Sequence, residues 1–408
     1  RGMGERSHYA EEGPPNFSVG FVLDDVELSG LGTAGVLFDL DQVEVFKGPQ
    51  STIFGPNAMA GLISLKSADP VDVIDFSFNA GLGSDALQNL SGWTNLPINS
   101  KLAVRLGLHG ARSDGFRENR FLGRSDTNRR RENFARAKVR YVFDGGSGLL
   151  GTLFWADMDN GYDVWAPDNN EALLTYSNNP GEDSQRTTGL SLRGEFPYKR
   201  LNAELVSITA FSKTDLEHRY DGDWGNNIFW SKKPYGFDPD EQGWTYEFRD
   251  QTLRERNTFT QEIRLLKDGL LDGKDNAVLG MYFKNLEESD RREGYLFGGE
   301  ADSLKSTFDI QNLAFYGQYY RNLGDALRVG IDFRLDRSAT TYSATTDTVS
   351  INFEVAKKWL AGGKAALTYQ FDSDRAVYAA VSRGYRAGGV NQHPRLDKDN
   401  RPFDPEYI

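Results

Sequence analysis

Four histidines, one Gly-Pro-rich stretch and one run of three arginines are the places in this 408-residue chain where residue type and spacing could do chemistry. Residues 43–66 read VEVFKGPQSTIFGPNAMAGLISLK, and a glycine-rich loop ahead of a helix could cradle phosphate with its backbone N–H groups. A phosphate loop needs Lys-Ser/Thr after its last glycine, however, and Gly48 to Gly55 is followed by Pro56-Asn57. No GxGxxG follows a predicted strand. Ser51 lacks the GxSxG elbow that would make it a hydrolase nucleophile. His8, His109, His218 and His393 are widely scattered and read as surface or lumen residues, not as ligands or bases. Arg129-Arg130-Arg131 lies in a polar segment and reads as a solvated loop rather than an anion site. The absence of cysteine excludes both a disulfide framework and a thiolate metal site. The expectation is a protein that makes and breaks no covalent bond, with no catalytic residue, cofactor or metal site.

Composition narrows the class further. The formal net charge is −12, from 59 acidic and 47 basic residues, whereas a general nucleic-acid binder carries a basic face. Hydrophobic residues reach only 38% although aromatics make up 12%, too little oil for an ordinary large soluble core. No run approaches the roughly 18 apolar residues of a membrane helix. That excludes a helical membrane protein and leaves a β-barrel open. The chain opens on Arg1-Gly2 without a methionine and stops at Tyr407-Ile408, and it reads as a fragment of a longer protein.

The elements that would hold any site are strands. From about Val73 onward, apolar and polar residues alternate with period 2 over segments of roughly ten residues. Leu327, Val329, Ile331, Phe333 and Leu335 share one face, while Arg328, Asp332, Arg334 and Asp336 share the other. Ala135 to Phe143, Leu102 to Leu108 and Leu190 to Phe196 repeat the pattern. Alternation alone does not separate a soluble sandwich from a membrane barrel. Connection lengths do. Short turns at 144–147, 266–273, 322–325 and 372–374 alternate with long polar connections near 114–132, 159–185, 215–254 and 288–307, as in outer-membrane barrels with long external loops. Parity assigns 338–363 to one long loop with a local hairpin at 349–355, and makes Gly384–Gly389 open the next external loop. The count is then about thirteen strands, an odd number that a closed bacterial barrel would have to extend.

Three stretches carry a family resemblance. Arg1-Gly2-Met3, residues 19–26 (VGFVLDDV) and residues 43–66 resemble the plug domain of TonB-dependent outer-membrane receptors, whose pattern runs approximately I/V-E-V-L-R-G-P-x-S/G-x-L/I-Y/F-G-x-x-A-x-x-G-x-I-N-I. The match covers Glu44, Gly48, Pro49, Gly55, Ala58, Gly61 and Ile63, and departs at Lys47, Phe54 and Ser64. Residues 377–389 (VYAAVSRGYRAGG) resemble a barrel strand of the same family and the segment after it. The resemblance implies an all-β barrel with a small α/β plug, a partial transmembrane antiparallel barrel of the ~22-strand transporter type. On that reading 1–70 is the C-terminal part of the plug, and 71–408 an incomplete barrel. The implied plug motif residues are Arg1, Gly2, Glu44, Lys47, Gly48, Pro49, Gly55 and Gly61, with Lys47 paired to a lumen carboxylate.

The same resemblance implies TonB-driven import of a scarce nutrient, foremost a ferric siderophore. Haem, cobalamin or an oligosaccharide are alternative cargoes, and a non-energised porin or surface barrel is the alternative class. A soluble β-propeller lectin ranks third. Implied partners are TonB, whose contact segment is expected to be missing from this chain, an iron chelate and outer-membrane lipid, with the protein a monomer in the bacterial outer membrane. Ligand contacts would come from plug apices, here Arg6, His8, Tyr9, Leu31 and Thr33, and from external loops. Trp165, Trp224, Trp230, Tyr235 and Trp244, with Arg291 and Arg292, would form an amphipathic, partly cationic cup.

Overall fold

The structure is a computed structural model that describes residues 14–31, 37–50, 55, 58–271, 274–301, 303–392 and 396–408. Two sheets account for most of it. The smaller contains β1 (Val19–Leu23), β2 (Val26–Glu27), β3 (Leu40–Lys47) and β4 (Gly61–Ser67), in the order β2-β1-β4-β3. β1 and β4 are parallel, and the other two pairings are antiparallel.

The larger sheet has thirteen strands, each antiparallel to its sequence neighbours. They are β5 (Asp75–Leu82), β6 (Gln88–Pro97), β7 (Leu102–Ser113), β8 (Arg130–Val142), β9 (Gly148–Gly161), β10 (Glu182–Tyr198) and β11 (Ala203–Asp221). β12 (Phe248–Asp268), β13 (Asp275–Leu296), β14 (Leu304–Leu323), β15 (Leu327–Thr346), β16 (Ser350–Gln370) and β17 (Ala376–Arg383) complete it.

The faces of this sheet are inverted relative to a soluble protein. Ile331, Phe333 and Leu335 of β15 are exposed, whereas Asp332, Arg334 and Asp336 between them are buried against the small sheet side. Leu153 and Trp155, Leu190 and Leu192, and Phe259 and Ile263 repeat that outward oil. The upper limit of the oily band gives the strand tilt. From Trp155 it steps down one hydrogen-bonded row to Leu190, Phe211 and Phe259, another to Phe283 and Leu313, and a third to Leu335. Three two-residue rows are ~20 Å along the strands and six strand spacings are ~29 Å across them, a slope of about 35°. Outer-membrane barrel strands tilt by that amount relative to the membrane normal. At the short-turn end Tyr141 and Phe143 meet edge-on at 4.8 Å, Tyr369 and Phe371 do so at 5.0 Å, and Tyr198 is exposed, which makes an aromatic girdle.

The small sheet sits on the inner, charged face. Leu23, Val26, Leu28, Leu31 and Leu65 form one apolar cluster with Phe134, Phe154, Ala156 and Ala210 of the wall. This is a plug in a lumen.

Three boundaries differ from the sequence expectation. The long connections are shorter than predicted, at 114–129, 162–181, 222–247 and 297–303, because the strands run well beyond the oily band, up to 22 residues in β13. Above the band the outward residues turn polar and the inward ones mix polar side chains with buried apolar ones such as Leu304, Phe308 and Tyr342, so the oily-outward alternation ends while the backbone ladder continues. Residues 338–363 are not one long loop. β15 and β16 stay paired out to Thr345↔Ser350 across a register shift at Ser338/Thr340, and the expected local hairpin is their outer end. Finally, Gly384–Gly389 does not open an external loop. β17 stops at Arg383 opposite Gly363, which lies opposite Phe333 within the oily band. The chain then turns inward and folds back on itself through Tyr385↔Tyr407 and Gly389↔Phe403.

Placing a charge on the outer face tests the assignment. In the full-length protein Ile331→Arg should cost about 2–4 kcal/mol on urea-dependent folding into phospholipid vesicles, whereas Thr341→Arg, above the band, should stay within about 0.5 kcal/mol. Equal costs at both positions would reject the lipid-facing band.

Candidate functional site

The lumen wall and the plug meet through charge of one polarity. Asp39, held at a left-handed φ of 52°, accepts a two-pronged contact from Arg105 (Nε to Oδ2 at 2.9 Å) and a second guanidinium from Arg136 at 3.1 Å. Gly107 of β7 is so close to Phe38 that a Cβ there would lie 2.9 Å from its ring. Phe38-Asp39 is thus a hook seated on β7 and β8. Lys138 lies 2.6 Å from Asp69 and 3.4 Å from Asp24, and donates to the Ser67 carbonyl at 3.1 Å. Arg193 reaches Asp25 at 3.1 Å, Lys284 reaches Glu27 at 3.1 Å, and Arg256 donates to the Ser29 carbonyl at 2.7 Å. In every ion pair between plug and wall among the described residues, the acid is on the plug and the base on the wall.

That polarity corrects the expectation for Lys47. It is exposed at the end of edge strand β3 and forms no ion pair with a described carboxylate, whereas Glu44 on the same strand accepts from Gln42 at 3.1 Å. The remaining described motif residues shape the backbone. Gly48 and Gly55 have φ of 82° and 79°, and Gly61 begins β4 with its Cα against the Phe46 carbonyl, where a Cβ would come within 2.5 Å. Pro49 packs on Gly384. Arg1 and Gly2, and the ligand candidates Arg6, His8, Tyr9 and Thr33, lie outside the described residues. Leu31, the remaining apical candidate, is 5% exposed and belongs to the plug–wall core, so it is not open to a ligand.

At the outer end the loops bring distant aromatics together. Asn119 donates to Asp163 at 2.8 Å and to the Ser177 carbonyl at 2.9 Å, and Thr175 donates to the same Asp163 at 2.7 Å. Asn226 caps the short helix Asn227–Ser231 and ties it to the Tyr176 carbonyl at 2.6 Å. Within this frame Trp230 stacks near Tyr235 (4.9 Å) and Tyr246 (4.6 Å), while its Nε1 donates to Asp223 at 2.9 Å. Trp244 joins through Phe237 and Phe297. Trp165 and Trp224 stack at 5.8 Å and remain 57% and 40% exposed. Trp224 keeps that position at a left-handed φ of 56°.

Of the predicted aromatics, Trp230 therefore meets Tyr235 and Trp224 meets Trp165, but the predicted cationic half does not join them. Arg291 points to the outer face of β13 and pairs with Glu293, while Arg292 donates to Asp250 at 2.7 Å. The groups around the indoles are carboxylates, Asp221, Asp223 and Asp163. Sequence reasoning named none of the plug-seat pairs. Asp24 and Asp25 lay inside a matched motif without a role, and only their three-dimensional partners reveal one.

Two cavities accompany these features. One of about 640 Å³ lies between plug and wall toward the short-turn end, lined by Asp25, Glu44, Lys66, Lys138, Arg193 and Arg264 among others. One of about 860 Å³ runs over the outward polar rows above the oily band, through Asp157, Arg186, Asp215 and Glu255. Among the described residues no group of His, Asp and Glu is placed to hold a metal ion.

No protein-family model matches the chain. It is 23% identical over 408 residues to the pesticin receptor of Yersinia enterocolitica, covering 96% of this chain and 56% of that protein. A shorter stretch of 127 residues is 24% identical to the vitamin B12 transporter BtuB of Vibrio vulnificus, covering 31% of this chain and 19% of that protein. Among solved structures, the ferric yersiniabactin uptake receptor FyuA from Yersinia pestis superposes with a TM-score of 0.79 at 19% identity, over 96% of this chain and 59% of that one. The siderophore receptor PiuA from Acinetobacter baumannii gives 0.72 at 12% identity, over 95% and 60%. The fold is that of the plugged barrels among these solved receptors, and the chain is homologous to the pesticin receptor. It is an outer-membrane protein of the Gram-negative type, and it spans little more than half the length of the pesticin, yersiniabactin and PiuA receptors.

Two predictions follow from this geometry. Asp39→Ala leaves Arg105 and Arg136 buried without their carboxylate and should cost about 3–5 kcal/mol of plug stability, read as faster amide exchange in β3 and β4; unchanged exchange would reject the hook. The second concerns Asp221, at the outer end of β11 and five rows above Phe211, the last oily residue of that strand. Burial, and then the Asp223 carboxylate, push its carboxyl from 3.8 up to about 7. A folded-state carboxyl that holds its proton longer than the unfolded one destabilises progressively between those two values. With the intrinsic pH dependence of exchange divided out, loop 222–247 should therefore be less protected at pH 8 than at pH 5, and Asp221→Asn should abolish that difference in protection.

Proposed function

We propose that the full-length protein imports a scarce iron chelate, foremost a ferric siderophore, across the outer membrane, energised by TonB. One observation carries this reading: the lumen is filled by a plug seated on oppositely charged wall residues, Asp39 on Arg105 and Arg136 above all. A passive pore keeps its lumen open, whereas a gated importer needs a part that fits tightly and can still be moved. The homology to pesticin receptors and the shared fold with the ferric yersiniabactin and PiuA receptors support a siderophore as the cargo. The protein would act as a monomer in outer-membrane lipid and carry out no covalent chemistry.

The outer loops are suited to the first contact with such a ligand. The exposed Trp165–Trp224 stack offers a flat apolar platform, and the neighbouring cations are already engaged, so recognition rests on ring faces and hydrogen bonds more than on attraction of a bare anion. Cobalamin is the second reading, favoured by the partial match to a vitamin B12 transporter. Haem and oligosaccharides would use the same mechanism.

Uptake of radiolabelled ferric yersiniabactin, a ferric catecholate and vitamin B12 by cells expressing the full-length protein, with and without TonB, tests the reading. TonB-dependent uptake of an iron chelate is the expected result. Uptake indifferent to TonB would point to the porin class. Replacing Trp165 and Trp224 together by Ala should weaken binding of the transported ligand about tenfold, roughly 1.4 kcal/mol, with surface expression unchanged.

A further inference from the structure

The two stretches that carried the family resemblance lie far apart in sequence and touch in the fold. Pro49, in the plug's Gly-Pro turn, sits against Gly384, where an added Cβ would lie 2.6 Å from the proline Cβ. Pro14 sits in the same way against Gly389, where a Cβ would come within 2.5 Å of the Pro14 Cγ. Asn16 donates to the carbonyls of Ala387 and Gly388, each at 3.3 Å, and Arg386 donates to Ser18 at 3.2 Å. Four plug residues are thus held by one short segment.

One buried ring ties the start of that segment to the wall. Tyr385 is fully buried over Gly362 of β16, where a Cβ would fall 2.7 Å from the tyrosine ring. Its hydroxyl donates to Asp336 of β15. Asp336 in turn holds Arg334 through Nε at 2.8 Å and a second nitrogen at 3.2 Å. The Arg334 guanidinium lies 3.0 Å from where a Cβ of Gly55 would stand, with the rings of Tyr282 and Tyr316 5.3 and 5.5 Å away. Gly55 belongs to the same Gly-Pro stretch of the sequence as Pro49. Pro49 meets Gly384 and Gly55 meets Arg334, and Asp336 and Tyr385 connect the two contacts.

We infer that Gly384–Val390 is a strap that positions the plug, with Arg334, Asp336 and Tyr385 as the positioning residues that fix the strap to the wall. The small residues of GYRAGG are then explained by contact: Gly384 and Gly389 admit two prolines of the plug, and Val390 is fully buried beside Phe308 and Tyr342 on the wall. If the protein is an importer, as proposed above, the strap is a contact the plug must break to move.

The test needs no ligand and no TonB, so its failure is separate from any failure of the import reading. In the full-length protein in detergent, amide exchange is compared between wild type, Tyr385→Phe and Gly384→Val. Tyr385→Phe removes only one hydroxyl, and Gly384→Val pushes on Pro49, and more weakly on Ile408, while leaving the Tyr385 hydroxyl in place. Exchange in β1 and β4 should be about tenfold faster in both variants, with β10 to β13 unchanged, as expected for loss of one buried hydrogen bond to a charged group. These 408 residues contain no cysteine, so a Pro14→Cys, Gly389→Cys pair can be oxidised cleanly once any cysteine elsewhere in the full-length protein is replaced by Ser. In the Tyr385→Phe background the oxidised pair should restore wild-type exchange, and reduction should remove the rescue. Plug exchange equal to wild type in both single variants would overturn the strap, and so would acceleration spread evenly over plug and barrel. So would failure of the oxidised pair to rescue.

Discussion

Everything in this structure follows from the need to keep unpaired polar groups out of hydrocarbon. Backbone N–H and C=O groups in a bilayer must be bonded within the chain, which restricts spanning segments to helices or closed sheets. Among the described residues no helix is long and apolar enough to cross, and the thirteen-strand ladder bonds the backbone of every strand between its two edges, β5 and β17. Once the oily side chains face outward, half of every strand faces a lumen that has to accommodate charge. Arg105, Arg136, Lys138, Arg193, Arg256 and Lys284 all project there. A plug that answers them with acids is the electrostatic complement of that wall.

Buried ion pairs of this kind contribute little net stability, because desolvation offsets most of the Coulomb gain. Their effect is on position. Moving the plug by one residue along the wall would leave Asp39 without its two arginines, and Lys138 without the Asp24–Ser67–Asp69 group. Each mismatch costs more than the matched pair gains. Such an interface holds one register strongly and yet contains no continuous apolar seam, apart from the Leu23–Phe154 cluster, that would make separation prohibitive. The polar cavity of about 640 Å³ beside it has the same character.

The strands were legible wherever the two faces differ. Leu327 to Asp336 reads as a spanning strand from its alternation alone, and the short turns at 144–147 and 372–374 lie where Gly and Asp place them. Alternation gave no sign of which face was wet, since oil-in and oil-out are the same pattern. It also failed above the membrane, where the outward residues of Asp215 to Asp221 and Glu288 to Glu293 are polar yet the strands are still paired. The stop at Arg383 left no mark at all: residues 377–383 alternate smoothly, and only Tyr385, buried over Gly362, shows the chain leaving the sheet. The motif glycines were legible as backbone devices, because positive φ at Gly48 and Gly55 is a local demand. The polarity of the plug seat was not, because Lys47 suggested a basic plug and the real partners, Asp24, Asp25 and Asp39, acquire their meaning only from residues on other strands.

Loop recognition lies furthest from sequence for the same reason. Trp165 and Trp224 belong to different loops, and they stack only because Asn119, Asp163, Thr175, Ser177 and Asp221 tie three loops into one frame. None of those five residues has a spacing that marks it. Trp230, which looked equivalent to Trp224 in the sequence, has its indole N–H committed to Asp223 and its ring packed between Tyr235 and Tyr246, so it builds the platform more than it presents one. A frame of hydrogen-bonded polar residues holding two exposed rings can change its rings without changing its strands. That separation lets one barrel carry many cargoes, and it is why the residues that identify the machine are not those that identify its ligand.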